Sequence, residues 1–221
     1  MSSPAVHTML PIAFCLLAFV LGSVPVGILL AKSKGVDLKK IGSGNIGATN
    51  VMRALGKEAA LITLLGDMAK GAAAVGAARV ISHAGVPLWA SFPAASDPKI
   101  IFEGLMGISA ILGHNFSLFL RFRGGKGVAT SLGVLLVFSP QVALFTMTLW
   151  LLTAKWTRYS SLSALVASGL LPLSFFMLDN SREKMMIAGV IAALVYLRHL
   201  DNIKRLIQGA ESKIGEGKER R

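Results

Sequence analysis

From Thr8 to Leu30 the chain carries no charged side chain. At about 1.5 Å per helical residue, such a run crosses the hydrocarbon core of a bilayer, about 30 Å thick. Further apolar segments follow at Ala59–Ser82, Ile100–Leu120, Val128–Phe138, Val142–Ala154, Ser160–Leu178 and Met185–Leu200. Reading the Ser139-Pro140-Gln141 break as a hairpin predicts seven crossings. A count of five or six follows if Val128–Phe138 is only embedded or some segments do not span. Hydrophobic residues make up 53% of the chain and charged residues only 15%, against about 25% charged in soluble domains. That balance excludes a water-soluble globule, and apolar content this high excludes disorder. The expected architecture is all-α, a polytopic transmembrane bundle forming a single domain over 1–221, with a basic tail from about residue 202.

The charges orient the bundle. The chain has a formal net charge of +12, with 23 Lys and Arg against 11 Asp and Glu. In a soluble protein this would suggest nucleic acid; beside spanning helices it marks a membrane face, so no nucleic-acid partner is expected. Eighteen of the 23 fall in 31–58, 121–127, 155–159 and 198–221. Collecting them on the cytoplasmic side requires an odd number of crossings with the N-terminus outside, which seven satisfies and five also would. The first helix resembles the apolar core of a signal peptide, but no basic region precedes it and no cleavage pattern closes it, so it is read as retained. The lone Cys15 excludes a disulfide framework and a thiolate metal cluster.

Polar residues that the membrane cannot explain gather at that same face. The stretch Lys39-Lys40-Ile41-Gly42-Ser43-Gly44-Asn45-Ile46-Gly47-Ala48-Thr49-Asn50-Val51-Met52-Arg53 interleaves glycine with small donors. Such spacing lets backbone N–H groups converge on an anion, with Ser43, Asn45, Thr49 and Asn50 adding donors and Arg53 a forked cation. Its G-x-G-x-x-G spelling is not a dinucleotide fingerprint, because a membrane helix and a basic loop precede it instead of a strand. The plain alternative is a flexible hydrophilic loop. Gly124-Gly125-Lys126-Gly127-Val128-Ala129-Thr130 resembles a phosphate cradle closing onto a helix start, though it lacks the Walker A spacing. Glycines that merely allow a tight interfacial turn explain the fragment equally well.

His114 lies about two turns inside the cytoplasmic end of its segment, and His199 where the last segment leaves the membrane. A lone helical His is more often a packing residue than a ligand or base, and no metal-ligand spacing exists. Asp67 and Lys70, three apart, are expected to pair as glue between helices, with Lys70 a candidate to reach a substrate. Arg158-Tyr159-Ser160-Ser161 adds hydroxyls at another cytoplasmic helix start. Attraction to anionic lipid heads accounts for the tail from Lys213 onward, but not for Asn202 and Glu211.

Three segments taken together, Gly42 to Arg53, Gly124 to Thr130 and Arg198-His199-Leu200-Asp201-Asn202-Ile203-Lys204-Arg205, resemble the three cytoplasmic motifs of the PlsY family, the acyl-phosphate:glycerol-3-phosphate acyltransferases of bacteria. Gly22-Ser23-Val24-Pro25, Asp67 with Lys70-Gly71, Gly113-His114 and Gly209 to Lys213 match its pattern too, so the likeness spans about Leu21 to Ile214. The resemblance implies a seven-helix inner-membrane enzyme that makes lysophosphatidic acid from a fatty acyl phosphate and glycerol 3-phosphate. It implies neither metal nor acyl-CoA nor other cofactor, and no obligatory protein partner is evident. By the resemblance, Ser43 and Arg53 serve activity, Gly124, Gly125 and Gly127 serve glycerol 3-phosphate binding, His199 and Asn202 matter for activity, and Glu211 is structural. A departure is Arg121-Phe122-Arg123, where the family pattern has Gly-Phe-Lys. The expected catalytic set is Ser43, Arg53, His114, His199 and Asn202. Gly42, Gly44, Asn45, Thr49, Asn50, Lys70, Gly124, Gly125, Lys126, Gly127, Thr130, Ser160, Ser161 and Arg205 are expected to hold substrate. The hydroxyl proton has three candidate acceptors: His114, His199 and an acyl-phosphate oxygen. The rival reading is a transporter of a phosphorylated metabolite.

Overall fold

A computed structural model describes residues 4–84 and 97–215, with side chains from residue 9 onward. Most of the expected outer loop between Ser82 and Lys99, and the tail residues Lys218, Arg220 and Arg221, lie outside the described residues. Every regular element among the described residues is helical. The first stretch is α1 (Pro4–Ser23) followed, across Val24-Pro25, by α2 (Val26–Ser33). A basic loop then leads to the short α3 (Ala48–Leu55) and to the long α4 (Lys57–His83). Next come α5 (Pro98–Asn115), α6 (Val128–Phe138), α7 (Pro140–Thr157), α8 (Ser160–Gly169), α9 (Leu171–Leu178), α10 (Arg182–Arg198) and α11 (Leu200–Ile207).

Three of these stretches are long and apolar enough to cross a membrane: Met9–Ser33, Lys57–His83 and Pro98–Leu120. Counting the bent pairs α8–α9 and α10–α11 as one span each brings the number to five. At about 1.5 Å per residue, α6 is about 16 Å long, short of a full hydrocarbon core. Two segments read as continuous in the sequence are broken. The break after Gly169 turns the chain by 44°; Pro172 lacks an N–H and its ring clashes with the carbonyl four residues back, so a straight helix cannot pass through it. The break at His199 turns α11 by 62° away from α10.

Helix α4 buries Thr63, Asp67, Lys70, Gly71, Ala74 and Ala78, spaced three and four apart and so on one face. Small residues let the helices approach closely. A Cβ at Gly22 would strike the Ala110 carbonyl and one at Gly113 that of Phe19, which locks α1 to α5; Gly71 and Gly133 do the same for α4 and α6. The main core holds Val75, Ile111, Val134, Phe138, Phe175 and Ile191. A separate cluster of Ile28, Ala31, Leu38, Ile46 and Val51 supports the first glycine-rich loop. At the far end, Arg79 pairs with Glu103 at 2.7 Å and Lys184 with Asp179 at 2.8 Å. The cations of the opposite end are arranged differently.

Candidate active site

The first glycine-rich loop is folded around one amide. Asn50 is 1% exposed. Its Nδ2 donates to the carbonyls of Leu38, Ile41 and Asn45 at 3.2, 3.1 and 2.9 Å. Its Oδ1 accepts the Ser43 N–H at 3.1 Å. An amide so engaged has no donor left for a ligand, so Asn50, expected to hold substrate, instead shapes the loop that presents Ser43, Gly44 and Asn45. Gly42 and Gly44 take φ values of +53° and +69°, which a side chain would strain.

The second turn works differently from a cradle of N–H groups. Gly124 N–H donates to the Asn115 carbonyl at 3.2 Å and Gly125 N–H to that of His114 at 2.9 Å. These donors cap the end of α5, and a Cβ at Gly124 would strike the same two carbonyls. Gly124 and Gly125, expected to hold substrate, thus spend their backbone N–H groups on α5, and their lack of a side chain lets the turn press onto it. Gly127, at φ +79°, opens α6. Arg198, which the sequence reading did not single out, braces this turn from outside. Its Nε donates to the Gly125 carbonyl at 3.0 Å and its Nη2 to that of Gly124 at 3.2 Å. The guanidinium also lies over the Phe116 ring, 5.3 Å from its centroid. The signal available in the sequence was a cation at a helix end beside His199.

What the second turn offers a ligand is Lys126. Its Nζ donates to Asn202 Oδ1. Asn202 Nδ2 donates to Glu211 Oε1 at 2.6 Å, Ser161 Oγ donates to the same oxygen at 2.8 Å, and Arg205 Nε donates to Glu211 Oε2 at 2.7 Å. One carboxylate thus ties α8 and α11 together and aims the Asn202 amide at Lys126. Burial alone would raise the Glu211 carboxyl, but hydrogen bonds from Arg205, Asn202 and Ser161 outweigh it and hold its pKa below the usual range. Burial pushes the Lys126 ammonium down to about 8; Glu211 and Asp201 oppose the shift, and Arg205 and Arg198 add to it.

These groups border a cavity of about 340 Å³ lined by Ser43, Gly44 and Asn45 of the first turn, Lys126 of the second, and Leu197, Arg198, Leu200, Asp201, Asn202 and Arg205 of the third. Arg53 stands one step back: it packs beside Gly42, and its Nη2 donates to the Lys213 carbonyl at 3.3 Å. Thr49 Oγ1 and Ser160 Oγ, 3.2 Å apart, tie α3 to the start of α8. His199 is buried against α10, its Nδ1 2.7 Å from the Val195 carbonyl. That contact makes Nδ1 the protonated nitrogen and leaves Nε2 a lone pair.

Lys70, His114 and Thr130 do not line this cavity. Lys70 is 4% exposed. Its Nζ lies 2.9 Å from Asp67 Oδ1, 2.8 Å from His114 Nδ1 and 3.1 Å from the Val24 carbonyl. The Val24 carbonyl and His114 Nδ1 take two hydrogen bonds of the ammonium, and Asp67 faces it as an ion pair. The expected pairing of Asp67 and Lys70 is present, with His114 as a third member. His114 Nδ1 faces both Lys70 Nζ and, at 3.5 Å, Asp67 Oδ1, and its Nε2 lies against Gly125. Thr130 is fully buried at the start of α6. Among the described residues no three His, Cys, Asp or Glu side chains converge where a metal could be held.

A helical membrane bundle with two glycine turns, two guanidinium groups and an ammonium around one cavity belongs to the class of membrane enzymes handling phosphorylated compounds. The chain belongs to the glycerol-3-phosphate acyltransferase family, whose model matches residues 12–209. It is 42% identical to the glycerol-3-phosphate acyltransferase of Rubrobacter xylanophilus, over 94% of this chain and 96% of the relative. The enzyme of the same description from Thermus thermophilus is 43% identical, over 93% and 96%. Among solved structures, PlsY, an integral membrane glycerol 3-phosphate acyltransferase, superposes in its glycerol 3-phosphate form with a TM-score of 0.80 at 38% identity, over 93% of this chain and 96% of that one. Its lysophosphatidic acid form gives 0.78.

Proposed function

We propose that the chain transfers a fatty acyl group from an acyl phosphate to glycerol 3-phosphate, yielding lysophosphatidic acid and inorganic phosphate. The observation that carries this reading is the meeting of all three glycine, lysine and asparagine turns around one cationic cavity, in a chain of this family. An acyl phosphate is a mixed anhydride, so the donor brings its own activation. The glycerol hydroxyl oxygen bonds to the acyl carbon, and the carbon–oxygen bond to phosphate breaks with its electron pair leaving on the phosphate. The hydroxyl proton goes to His199 Nε2 or to an oxygen of the departing phosphate.

The protein's contribution is to hold two mutually repelling anions with the hydroxyl about 3–3.5 Å from the acyl carbon. Lys126, Arg205 and Arg53 offset that repulsion, and stabilise charge gathering on the leaving phosphate. Ser43 and Asn45 add neutral donors from the first turn, Asn202 fixes Lys126, and Ser161 acts through Glu211. Thr49 and Ser160 hold the first turn against α8.

The same reading makes the chain one bacterial inner-membrane domain with seven passes, the N-terminus outside and the cavity facing the cytoplasm. Four connecting regions, 34–56, 116–127, 158–161 and 199–213, exchange hydrogen bonds at the cavity's end of the bundle, which supports α4, α6 and α8–α9 leaving that side and α5, α7 and α10 returning to it. The test is phosphate release by the purified chain in detergent with palmitoyl phosphate and glycerol 3-phosphate. Release that requires both substrates supports transfer. Uptake of glycerol 3-phosphate into vesicles without release would replace it with transport.

A further inference from the structure

The turn that carries Lys126 is held from two sides, and the geometry of the peptide unit explains how. Its peptide bonds are trans, so the N–H and C=O of one unit point in opposite directions. In the unit joining Gly124 to Gly125, the N–H of Gly125 donates to the His114 carbonyl on α5 at 2.9 Å. The Gly124 carbonyl of that unit therefore points away from α5, where it accepts from Arg198 Nη2 at 3.2 Å. The next carbonyl, that of Gly125, accepts from Nε of the same guanidinium at 3.0 Å. Arg198 lines the cavity and the two glycines do not, so the guanidinium covers both oxygens on the cavity's side. Left open, they would turn the negative ends of two peptide dipoles toward a bound phosphate and repel it. The Phe116 ring, its centroid 5.3 Å from Arg198 Cζ, backs the fork.

Resting on the acyl-transfer reading, we propose that Arg198 is a positioning residue for glycerol 3-phosphate: it acts through the turn 124–126, holding the Lys126 ammonium at the cavity and masking two carbonyl oxygens from the substrate's phosphate. Its place in the chain makes this possible. Arg198 is the last residue of α10, and α11 leaves at 62° to that axis. One side of the bend thus sends a guanidinium to the backbone of the turn, and the other sends Asn202 to the Lys126 side chain. Lys126 is gripped at backbone and tip from a single junction. Shape matters here as well as charge, because a lysine in place of Arg198 lacks the planar fork that spans two neighbouring carbonyls. Charge matters because Arg198 belongs to the field around Lys126. Burial lowers the Lys126 pKa to about 8, with Glu211 and Asp201 raising it and Arg205 and Arg198 lowering it further; His199 stands in the same field.

The deciding experiment compares the full chain in detergent with its Arg198→Gln and Arg198→Lys variants. Phosphate release from palmitoyl phosphate and glycerol 3-phosphate gives kcat and KM across pH, and a thermal midpoint reports folding. Arg198→Gln is expected to raise the KM for glycerol 3-phosphate by about tenfold or more, the scale of hydrogen bonds from a charged group. It should also move the alkaline limb of kcat/KM to higher pH, since a cation that opposed the charging of Lys126 is gone. Arg198→Lys is expected to raise the KM while leaving the limb in place, because the charge is kept and the fork is lost. A loss confined to kcat and the thermal midpoint, with KM and limb unmoved, makes Arg198 a mere brace and overturns the proposal. If Arg198→Gln does not fold, Arg198→Lys decides alone: a raised KM supports the proposal and an unchanged one overturns it. A wild-type chain that releases no phosphate loses acyl transfer and the proposal together, whereas wild-type turnover with unaltered variants loses the proposal only.

Discussion

Lys126 gives the cavity its clearest dependence on pH. With burial holding its pKa at about 8, the free enzyme loses the ammonium as pH rises through that value, and with it the attraction for a phosphate dianion. The kcat/KM for glycerol 3-phosphate, which reports groups of the free enzyme, should be level below about pH 7 and fall above about 8. Lys126→Arg removes that alkaline limb, because a guanidinium stays charged. A wild-type profile flat to about pH 9.5 would detach Lys126 from the phosphate. Arg53 is tested by a different comparison. Arg53→Ala should cost about 10²-fold or more in kcat, the usual scale for losing one charge-stabilising donor. Arg53→Lys should recover little of it, since the ammonium lacks the forked donors of the guanidinium, one of which holds the Lys213 carbonyl. Turnover near wild type in Arg53→Ala would remove it from the site.

At the scale of elements, the glycine turns are legible in the sequence as turns, and their work is not. Spacing alone cannot tell a glycine whose N–H faces a ligand from one whose N–H caps a neighbouring helix. At Gly124 and Gly125 the partner is α5, about ten residues upstream, and the cost of a side chain is collision with its last carbonyls. Gly124→Ala should therefore destabilise the protein by about 1–3 kcal/mol, as overpacking does, and lower its thermal midpoint in detergent. Gly76→Ala is the control, because nothing lies within 4 Å of the point a Cβ would occupy there. Equal midpoints for the two variants would contradict the packing role. Asn50 shows the same limit. A donor-rich stretch invites assigning every donor to the ligand, yet a loop of irregular backbone needs internal donors for its own carbonyls. The pairing of Lys70 with Asp67 is visible from their spacing, whereas His114 as the third member requires knowing that α5 packs on α4. Arg198 reaches Gly124 and Gly125, and Glu211 reaches Ser161, far along the chain, and no local pattern announces such contacts.

For the whole molecule, the membrane class follows directly from the apolar runs, while the number of passes does not. The reason is physical: α6 is shorter than the bilayer core, and α8–α9 and α10–α11 are bent, so length and hydropathy lose their discriminating power on these elements. Orientation is the better test, because it depends on which end faces the cytoplasm and not on how each helix is counted. His83 is exposed at the end of α4 remote from the cavity, and Lys57 is exposed at its near end. With Cys15 replaced by Ala, His83→Cys should react with a membrane-impermeant maleimide in intact cells, and Lys57→Cys only after the inner membrane is opened. The cation-rich end would then face the side where basic loops are retained, and glycerol 3-phosphate would reach the cavity from the cytoplasm. The opposite labelling pattern would put Lys126 and Arg205 outside the cell and end the cytoplasmic reading, even with the acyl-transfer chemistry intact.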